Sequence, residues 1–593
     1  MGVMPKKKTL TVQRVLALVI AYITLCVGGG VVTSIFFMPA VFAANNAAKA
    51  VIPSLAVEGI DFDVTSLPQR STMYFNDGKT AFAEFYTQNR EVVPLKKISK
   101  AMQQAVVARE DKRFFEHTGV DVQGVFRAFF QTYVRGGDQQ GGSTLTQQYV
   151  KNVLSTQARE DDDPIAEYHA TEDTVARKLR EMLISVQIEK KYSKAEILQG
   201  YLNIAQFGRN NLCGVEMAAK RYFNVSASEL NVTQAATIAA ITKNPQNFDP
   251  SVEANQKEAE HQRNIVLQLM HDQGYITSEK EFKDAINTPL KDTLNLQDVS
   301  SGCQSAIENT GFFCSYVVNQ ILKNKAFGKD DEAREKLLKE GGLKIVTTLD
   351  KDMQDEIQQV GDTRPEGMPE SIQVGGIAVD QKTGSVKAMY AGNDYLTKQL
   401  NNATQATFEP GSTMKPFGLL GAAQEGVNFN TIFNGNSGLT FETTPGTTAQ
   451  VPNALNTNYG YINLYQATAN SVNTVFMEVN KHLGAANLAK IAHQAGIEED
   501  IAEDTTYNIL GINGITVWDL AQGHSTIAND GVKNTLHIVD TVLTSDGSKE
   551  LYKTAQENQQ VFDANDCHLV QKAMQGTTTY GTAAGVSTRL GRQ

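Results

Sequence analysis

A serine and a lysine three residues apart place the strongest constraint on how this chain folds. Ser412 and Lys415 lie in residues 409–417 (EPGSTMKPF), directly after a glycine. Their side chains share one face only if a helix begins here, because three residues are nearly one helical turn. A buried lysine beside a serine can lose its proton and act as a base, which makes the weak hydroxyl a nucleophile. The pair therefore predicts a helix start that carries a reactive serine.

A second element, S-x-N, follows later in the chain as Ser471 and Asn473. The ordered pair of S-x-x-K and then S-x-N is typical of serine acyltransferases that react with penicillin. Taken alone, S-x-x-K occurs by chance in a chain of 593 residues. The interpretation therefore depends on whether the rest of the sequence supports it.

Four polar segments upstream supply that support, in residues 110–121, 141–152, 177–181 and 197–203. In order and residue type they resemble the motifs of the family-51 peptidoglycan glycosyltransferases. Together with the two serine elements, they make the chain similar to a class A penicillin-binding protein from about residue 70 onward. The resemblance implies a multidomain protein with an N-terminal membrane helix, a mainly α, lysozyme-like glycosyltransferase domain and an α/β transpeptidase domain of the serine β-lactamase type.

The N-terminal segment predicts a membrane anchor. The first 57 residues contain no Asp or Glu, and Lys6, Lys7, Lys8 and Arg14 precede an uncharged stretch at 15–44. That stretch exceeds the roughly 20 residues that a membrane helix needs, and the basic residues before it place the N-terminus in the cytoplasm. A cleaved signal peptide, with a core of only about 7–15 residues, fits less well. The catalytic domains are then expected outside the cytoplasm.

Composition and length narrow the class of protein. A hydrophobic content of 41% is too low for a polytopic membrane protein, and a net charge of −11 argues against a nucleic-acid binder. A chain of 593 residues fits two large domains with connecting pieces. We predict a cytoplasmic tail at 1–14, a transmembrane anchor at 15–44, a glycosyltransferase domain at 70–255, a charged, irregular linker at 256–342 and an incomplete transpeptidase domain at 343–593.

Hydrophobic periodicity places the main helices, and β-branched runs place the strands. Ser193 begins a capping box, and the two strands that flank residues 380–384 are expected to form a hairpin. The acidic run at 159–164 is expected to be a solvated, mobile loop rather than a metal site. The predicted helices span 98–108, 171–187, 194–204, 463–480 and 517–529, and the predicted strands span 344–349, 375–379 and 385–390.

The cysteines predict one disulfide. Cys303 and Cys314 lie in a polar loop, and in an oxidising compartment they are the natural pair. Cys26 falls within the predicted anchor. Cys213 and Cys567 lie in apolar or motif surroundings, which favours buried free thiols.

By the resemblance, the first domain polymerises lipid II into glycan. Glu110 is the candidate general base, which deprotonates the 4-hydroxyl of the acceptor sugar. Lys151, Arg177 and Lys178 are expected to neutralise the charge that develops on the leaving undecaprenyl pyrophosphate. Glu181 matches the second important glutamate of the family, which positions the pyrophosphate or a divalent metal, Mg²⁺ or Mn²⁺. The two alternatives are therefore no cofactor, or one such metal bound with the lipid pyrophosphate.

Further candidates come from the same motifs. His117 is expected to be a hydrogen-bonded scaffold residue, because the family's chemistry needs no imidazole. The polar residues at 143–148 either bind sugar or cap a helix, and both interpretations stay open, whereas Asn203 is expected to brace the cleft. The substrate-binding candidates are Ser143, Thr144, Gln147, Gln148 and Asn203.

By the same resemblance, the second domain cross-links peptides. Ser412 attacks the D-Ala-D-Ala bond of a stem peptide, and Lys415 takes its proton. Ser471 passes a proton to the leaving group, and Asn473 orients the substrate or Lys415. An amine of a neighbouring stem then resolves the acyl-enzyme, and penicillins acylate the same serine.

The family's third element, K-T-G, is expected after S-x-N, on a strand that lines the pocket. Lys382, Thr383 and Gly384 match its letters, but they precede Ser412 and fall in the predicted hairpin turn. We reject them and expect the element beyond Gln593, in sequence that this chain lacks. The alternative is a natural protein with an impaired second domain.

These residues favour a bifunctional peptidoglycan synthase. One alternative is a glycosyltransferase whose serine domain only senses stem peptides or β-lactams. A second is a glycan hydrolase, because two acids can flank a sugar bond. A third is a structural scaffold. The basic residues and the anchor favour a pyrophosphate donor over hydrolysis. Expected partners are lipid II, nascent glycan, stem peptides, β-lactams, the cell membrane and cell-wall assembly proteins, with no nucleic acid.

Overall fold

Two separate groups of elements make up the part of the protein that the structure describes. The computed structural model describes residues 60, 62–63, 66–124 and 142–586, except 299, 308, 364 and 370. The first unit comprises the described residues up to Leu67 together with Asn89–Asp298. The second comprises Pro68–Gln88 and the described residues from 300 on. Cys26 and the predicted tail and anchor at 1–44 lie outside the described residues.

The regular elements described in the first unit are all helical. Val232–Ile241 lies at its centre, because its alanines and isoleucines are buried and let the helices on either side approach closely. Lys100–Glu110 and Gln256–Asp272 pack against it. The α-helices are Lys100–Glu110, Leu145–Glu160, Pro164–Thr171, Val175–Lys191, Lys194–Ile204, Val215–Phe223, Val232–Ile241, Gln256–Asp272, Glu279–Asn287 and Leu290–Thr293, and the 3-10 helices are Leu95–Lys97 and Glu253–Asn255.

Polar caps fix where these helices begin. Ser193 accepts a hydrogen bond from Glu196 N and Glu196 reaches back to Ser193, which confirms the predicted capping box of Lys194–Ile204. Thr174 caps the helix that begins at Val175, later than the predicted start at residue 171. Asp163 caps Pro164–Thr171 by accepting from two backbone N–H groups, so the acidic run is a tight turn between two helices.

Strands are found in the second unit. The strands are β1 (Ser71–Tyr74), β2 (Ala81–Phe85), β3 (Lys344–Thr347), β4 (Gly376–Asp380), β5 (Ser385–Tyr390), β6 (Thr407–Phe408), β7 (Ile432–Asn434), β8 (Leu439–Thr444), β9 (Thr447–Val451), β10 (Tyr461–Asn463), β11 (Ile515–Thr516), β12 (Val532–Lys533), β13 (Val539–Leu543), β14 (Glu550–Lys553) and β15 (Gln559–Gln560). Five of them form one sheet in the order β14-β13-β3-β1-β2, in which β1 pairs with β3 in parallel and the other pairs are antiparallel.

The helices of this unit enclose a second core around Phe417, Leu420 and Phe476, which are fully buried. The α-helices are Gly311–Lys323, Asp331–Glu340, Lys351–Asp362, Lys415–Gln424, Leu464–Ala469, Asn473–Leu483, Ala485–Ala495, Val517–Ala528 and Ala564–Thr579. The 3-10 helices are Cys303–Ser305, Lys325–Phe327, Gly411–Met414, Ala454–Asn456 and Thr506–Leu510. Helices and sheets mixed in this way give the α/β architecture predicted for this half of the chain.

Two of the predicted segment boundaries differ from this division. Residues 70–88 were assigned to the glycosyltransferase domain, but β1 pairs with β3 of the second unit, and β2 pairs with β1. Residues 256–342 are not an irregular linker. Gln256–Asp272 buries Val266, Leu267 and Met270 in the core of the first unit, and its charged residues occupy the other face.

Three local predictions have clear outcomes. β4 and β5 form the predicted antiparallel hairpin. The helix predicted at 463–480 is two helices, because Ser471 between them has a positive φ of 54° that a helix does not allow. Cys303 and Cys314 form the predicted disulfide, with Cα atoms 5.5 Å apart, and Cys213 and Cys567 are buried free thiols.

Among the described residues, no helix combines the length and the apolar character that crossing a membrane requires.

Candidate active sites

Glu110 is a half-buried carboxylate whose two oxygens are bound from different helices. It is the last residue of Lys100–Glu110. Gln148 Nε2 donates to its Oε2 at 2.8 Å, and Thr242 Oγ1 donates to its Oε1 at 2.7 Å. A carboxylate oxygen has two acceptor sites, so each oxygen keeps one that can receive a proton. The geometry suits a general base.

Tyr201 orients the amide of Gln148. Burial raises the pKa of Tyr201 well above its usual value, and the charge of Glu110 raises it further, so the phenol stays protonated. Its hydroxyl donates to Gln148 Oε1 at 3.3 Å. The other end of the amide, Nε2, therefore points to the carboxylate of Glu110.

Asp111 and His117 connect the residues after Glu110 to the next helix. Asp111 Oδ2 accepts a hydrogen bond from Leu145 N at 3.0 Å and lies 2.9 Å from His117 Nε2. Both side chains are almost fully buried. His117 thus occupies the position of a scaffold residue, as the sequence predicts.

The polar residues at 143–148 divide between the two roles that the sequence left open. Thr144 and Gln147 form a capping box at the start of Leu145–Glu160 and are buried. Ser143 Oγ instead accepts from Lys178 Nζ at 2.5 Å, and Gln148 binds Glu110. Thr144 and Gln147 shape the loop, and Ser143 and Gln148 contact charged groups.

A cluster of cations surrounds Glu181. This carboxylate is buried, and its oxygens bind Arg177 and, at 3.1 Å, Lys178. Burial lowers the pKa of Lys151, and the nearby charges of Arg177 and Lys178 lower it further, whereas the charge of Glu181 raises it. Three cations around one carboxylate leave net positive charge, which suits a phosphate group.

The donor set around Glu181 does not fit a divalent metal. Mg²⁺ and Mn²⁺ prefer carboxylate and carbonyl oxygens, but both oxygens of Glu181 are bound by cations. Among the described residues, His, Cys, Asp and Glu form no cluster of three or more that could hold a metal ion.

Both the oxygen and the nitrogen of the Asn203 side-chain amide form hydrogen bonds with backbone groups. Its Oδ1 accepts from Val93 N at 2.9 Å, and its Nδ2 donates to Val93 O and Gln199 O. The side chain is fully buried. It therefore braces the segment before Lys100–Glu110, and its amide offers no group to a substrate.

The second site is built around Lys415, which begins the helix Lys415–Gln424 directly after the 3-10 helix Gly411–Met414. Lys415 Nζ donates to Ser471 O at 2.8 Å and to Asn473 Oδ1 at 2.8 Å, and lies 3.0 Å from Ser471 Oγ. Ser471 Oγ in turn lies 2.9 Å from Ser412 Oγ. The hydroxyl of Ser471 thus connects the exposed nucleophile to the buried amine.

Burial lowers the pKa of Lys415 to about 7, so a large fraction of the side chain is a neutral amine near neutral pH. The two carbonyl-type oxygens can only accept, so they take two N–H groups. The lone pair of the neutral amine then faces Ser471 Oγ. This arrangement can draw a proton from Ser412 through Ser471.

Comparisons with known proteins find matches to both parts of the chain that hold these residues. The Transglycosylase family model matches residues 78–271, and the model of the penicillin binding protein transpeptidase domain matches residues 374–591. Penicillin-binding protein 2a of Streptococcus pneumoniae strain D39 is 30% identical over 548 residues, which cover 88% of this chain and 68% of the relative. The chain belongs to the class A penicillin-binding proteins.

The chain spans only part of the length of several curated relatives that it matches. Penicillin-binding protein 1A/1B of Bacillus subtilis is 29% identical over 92% of this chain, but the chain spans 55% of its length. The chain spans 66% of penicillin-binding protein 1F of the same organism, at 30% identity. The crystal structure of penicillin-binding protein 1A from Haemophilus influenzae matches 88% of this chain and 82% of its own, with a TM-score of 0.54 and 16% identity, which supports the fold.

Lys382, Thr383 and Gly384, which match K-T-G, lie in the turn between β4 and β5, as the sequence predicts. Asn534 Nδ2 donates to the carbonyl of Lys382, and Gly384 O accepts from His537 N. Thr383 binds Ser385. These contacts belong to a hairpin, not to a strand beside a penicillin-binding serine.

Sequence reasoning missed several residues that support the sites. Thr242 and Tyr201 complete the hydrogen bonds around Glu110. Thr242 lies outside the motifs, and Tyr201 lies in the motif at 197–203 but carries no charge and was given no role. Gly511 O accepts from Gly411 N at 3.1 Å beside the 3-10 helix of Ser412. A residue with a side chain at 511 would place its Cβ 2.3 Å from Gly411, and the φ of +72° also favours glycine. Such contacts carry no local sequence signal.

Proposed function

We propose that this protein polymerises lipid II into glycan strands in its first unit and cross-links stem peptides in its second. The observation that carries the proposal is a pair of complete proton-accepting arrangements on one chain. One is Glu110 with donors on both oxygens. The other is the connection from Ser412 through Ser471 to a lysine with a lowered pKa.

In the glycosyl step, Glu110 takes the proton of the acceptor 4-hydroxyl. The acceptor oxygen forms a bond to the anomeric carbon of the donor, and the bond from that carbon to the pyrophosphate oxygen breaks. The leaving pyrophosphate keeps the electron pair. Lys151, Arg177 and Lys178 stabilise its charge, and Glu181 holds the last two cations in place.

No step of this mechanism uses a divalent metal, because both oxygens of Glu181 already bind cationic side chains. A metal that accompanies the lipid pyrophosphate, held by the substrate's own oxygens, stays a prediction. Polymerisation measured with and without a chelator tests it, and full activity at saturating chelator would contradict it.

In the peptidyl step, the proton of Ser412 moves to Ser471 Oγ as the proton of Ser471 moves to the neutral amine of Lys415. Ser412 Oγ then bonds to the carbonyl carbon of the D-Ala-D-Ala bond, and the terminal D-Ala leaves as an amine after receiving a proton from the same relay. An amine of a neighbouring stem peptide releases the acyl group. Penicillins acylate Ser412 by the same path.

Membrane anchoring through residues 15–44, with the N-terminus in the cytoplasm and both units outside, belongs to this proposal. It is supported by the basic residues before that stretch and by the lipid substrate. Protease protection of a C-terminal tag in spheroplasts would contradict this orientation. Cell-wall assembly proteins and β-lactams remain expected partners.

Reconstituted protein supplied with lipid II tests the two activities together. The proposal predicts lengthening glycan chains, whereas release of muropeptides from finished cell wall would favour the hydrolase. Ser412→Ala is expected to keep polymerisation and to lose D-Ala release and penicillin labelling. If wild-type protein is labelled by penicillin but never releases D-Ala from stem peptides, the sensor alternative replaces the transpeptidase.

A further inference from the structure

Thr242 is a polar residue at the glycosyl-transfer site that none of the motifs includes. It directly follows the helix Val232–Ile241 at the centre of the first unit. Its Oγ1 lies 2.7 Å from Glu110 Oε1 and 2.8 Å from Ala239 O. A hydroxyl has a single proton, so only one of these two oxygens receives it at a time.

The protonation state of Glu110 decides which oxygen receives that proton. A bond to a charged carboxylate is stronger than one to a neutral carbonyl, so ionised Glu110 takes it. When Glu110 has accepted a proton, its own O–H can donate to Thr242 Oγ1, and the hydroxyl proton of Thr242 turns to Ala239 O. Rotation of one hydroxyl therefore satisfies both states of the base without movement of the backbone.

The second oxygen of Glu110 is held independently. Gln148 Nε2 donates to Oε2 at 2.8 Å, and Tyr201 fixes the direction of that amide. Turning the carboxylate about its Cγ–Cδ bond would break the bonds on both oxygens. The plane of the carboxylate is thus set by two donors on two different helical segments.

We propose that Thr242 is a positioning residue of the glycosyl-transfer reaction, whose hydroxyl holds the carboxylate of Glu110 in its proton-accepting orientation and follows the change in its protonation state. The inference rests on the proposed function and deepens it. Thr242 acts through the carboxylate of Glu110.

Thr242→Val tests this with little change in shape. It removes a hydrogen bond to the charged carboxylate, so we expect kcat/KM for lipid II polymerisation to fall about 10- to 100-fold. The hydroxyl of Thr242 stabilises the ionised form of Glu110, so its removal favours the protonated form. The acidic limb of the pH–rate profile should therefore move to higher pH, by about one unit. Thr242→Ser keeps the hydroxyl and should restore both.

Thr237→Val is the matched control. Thr237 is buried in Val232–Ile241, the helix that Thr242 follows, and donates to Thr233 O at 2.9 Å. Thr237→Val therefore also deletes one hydroxyl but leaves the contacts of Glu110 unchanged. Val232–Ile241 carries no ionisable residue. Tyr201 interacts with both Glu110 and Thr242, so Thr242→Val also removes its contact with the hydroxyl of Thr242. Neither variant replaces a charged or titratable residue on the segments around this end of Lys100–Glu110. Those residues are Arg109, Asp111, His117, Lys151, Tyr201, Lys243, Glu258 and Arg263.

A measurement on the resting protein makes the result independent of turnover. The ¹³C carboxyl signal of Glu110, assigned by its absence in Glu110→Gln, is titrated in wild type, Thr242→Val and Thr237→Val. A midpoint raised only in Thr242→Val supports the inference. Equal midpoints in all three, or loss of rate without a shift of the acidic limb, would overturn it. If wild-type protein makes no polymer, the proposed function fails, and with it the role of Thr242 in glycosyl transfer. A midpoint raised only in Thr242→Val would then still show that Thr242 sets the protonation of Glu110, so the two failures are distinguishable.

Discussion

The lowered pKa of Lys415 makes acylation of Ser412 depend on pH in a defined way. Burial moves the pKa of this lysine from 10.5 to about 7. The base works only as the neutral amine, so the acylation rate should rise with pH through about 7 and be flat above it. At pH 7 an ordinary lysine is neutral in roughly one molecule in a thousand, whereas about half of Lys415 is neutral, so burial supplies a gain of roughly 10³-fold.

The second-order rate of Ser412 labelling by a fluorescent penicillin, measured from pH 5 to 9, tests this. We expect a rate at pH 5 about 100-fold below the plateau. Lys415→Arg, which stays protonated, should label at no pH in this range. Glu110→Gln, in the other unit, should leave the profile unchanged. A profile that is still rising steeply at pH 9, or one that is flat throughout, would refute the assignment of Lys415 as the base.

Three further outcomes are expected. Non-reducing peptide mapping of the exported protein should find Cys303 joined to Cys314, and alkylation of both without prior reduction would contradict the pairing. Gly511→Ala should slow penicillin labelling at least tenfold, because the Cβ of the alanine would clash with the backbone of Gly411. A normal rate would show that the loop can shift to accommodate the Cβ. Calorimetry of Glu181→Gln should show a loss of roughly 3 kcal/mol from uncompensated cations, and an unchanged Tm would contradict it.

The grouping of residues at both sites could be predicted from the sequence because the residues lie in short motifs. Ser412 and Lys415 are close in the chain, and a helix that starts between them fixes their geometry. Glu110 and the cations around Glu181 were identified in the same way. Lys194–Ile204 was placed correctly because Ser193 and Glu196 encode its cap locally.

What the sequence could not supply are contacts between distant residues. Thr242 is 132 positions from Glu110, and a lone threonine after an alanine-rich helix gives no sign of its partner. The pairing of β1 with β3 joins segments on either side of the first unit, and no local pattern in residues 70–88 indicates that partner. At 256–342, charges on exposed faces hid the apolar faces that pack into a core.

The central claim is that Glu110 is the base of a glycosyltransferase. Its most direct test is the rate of lipid II consumption by membrane-reconstituted Glu110→Gln, with an unchanged thermal unfolding profile as the measure of intact folding and penicillin labelling of Ser412 as the control for the second unit. The amide keeps the shape of the side chain but cannot take a proton, so we predict a loss of about 10²–10⁴-fold with normal labelling. Near-normal consumption of lipid II by this variant would contradict the account.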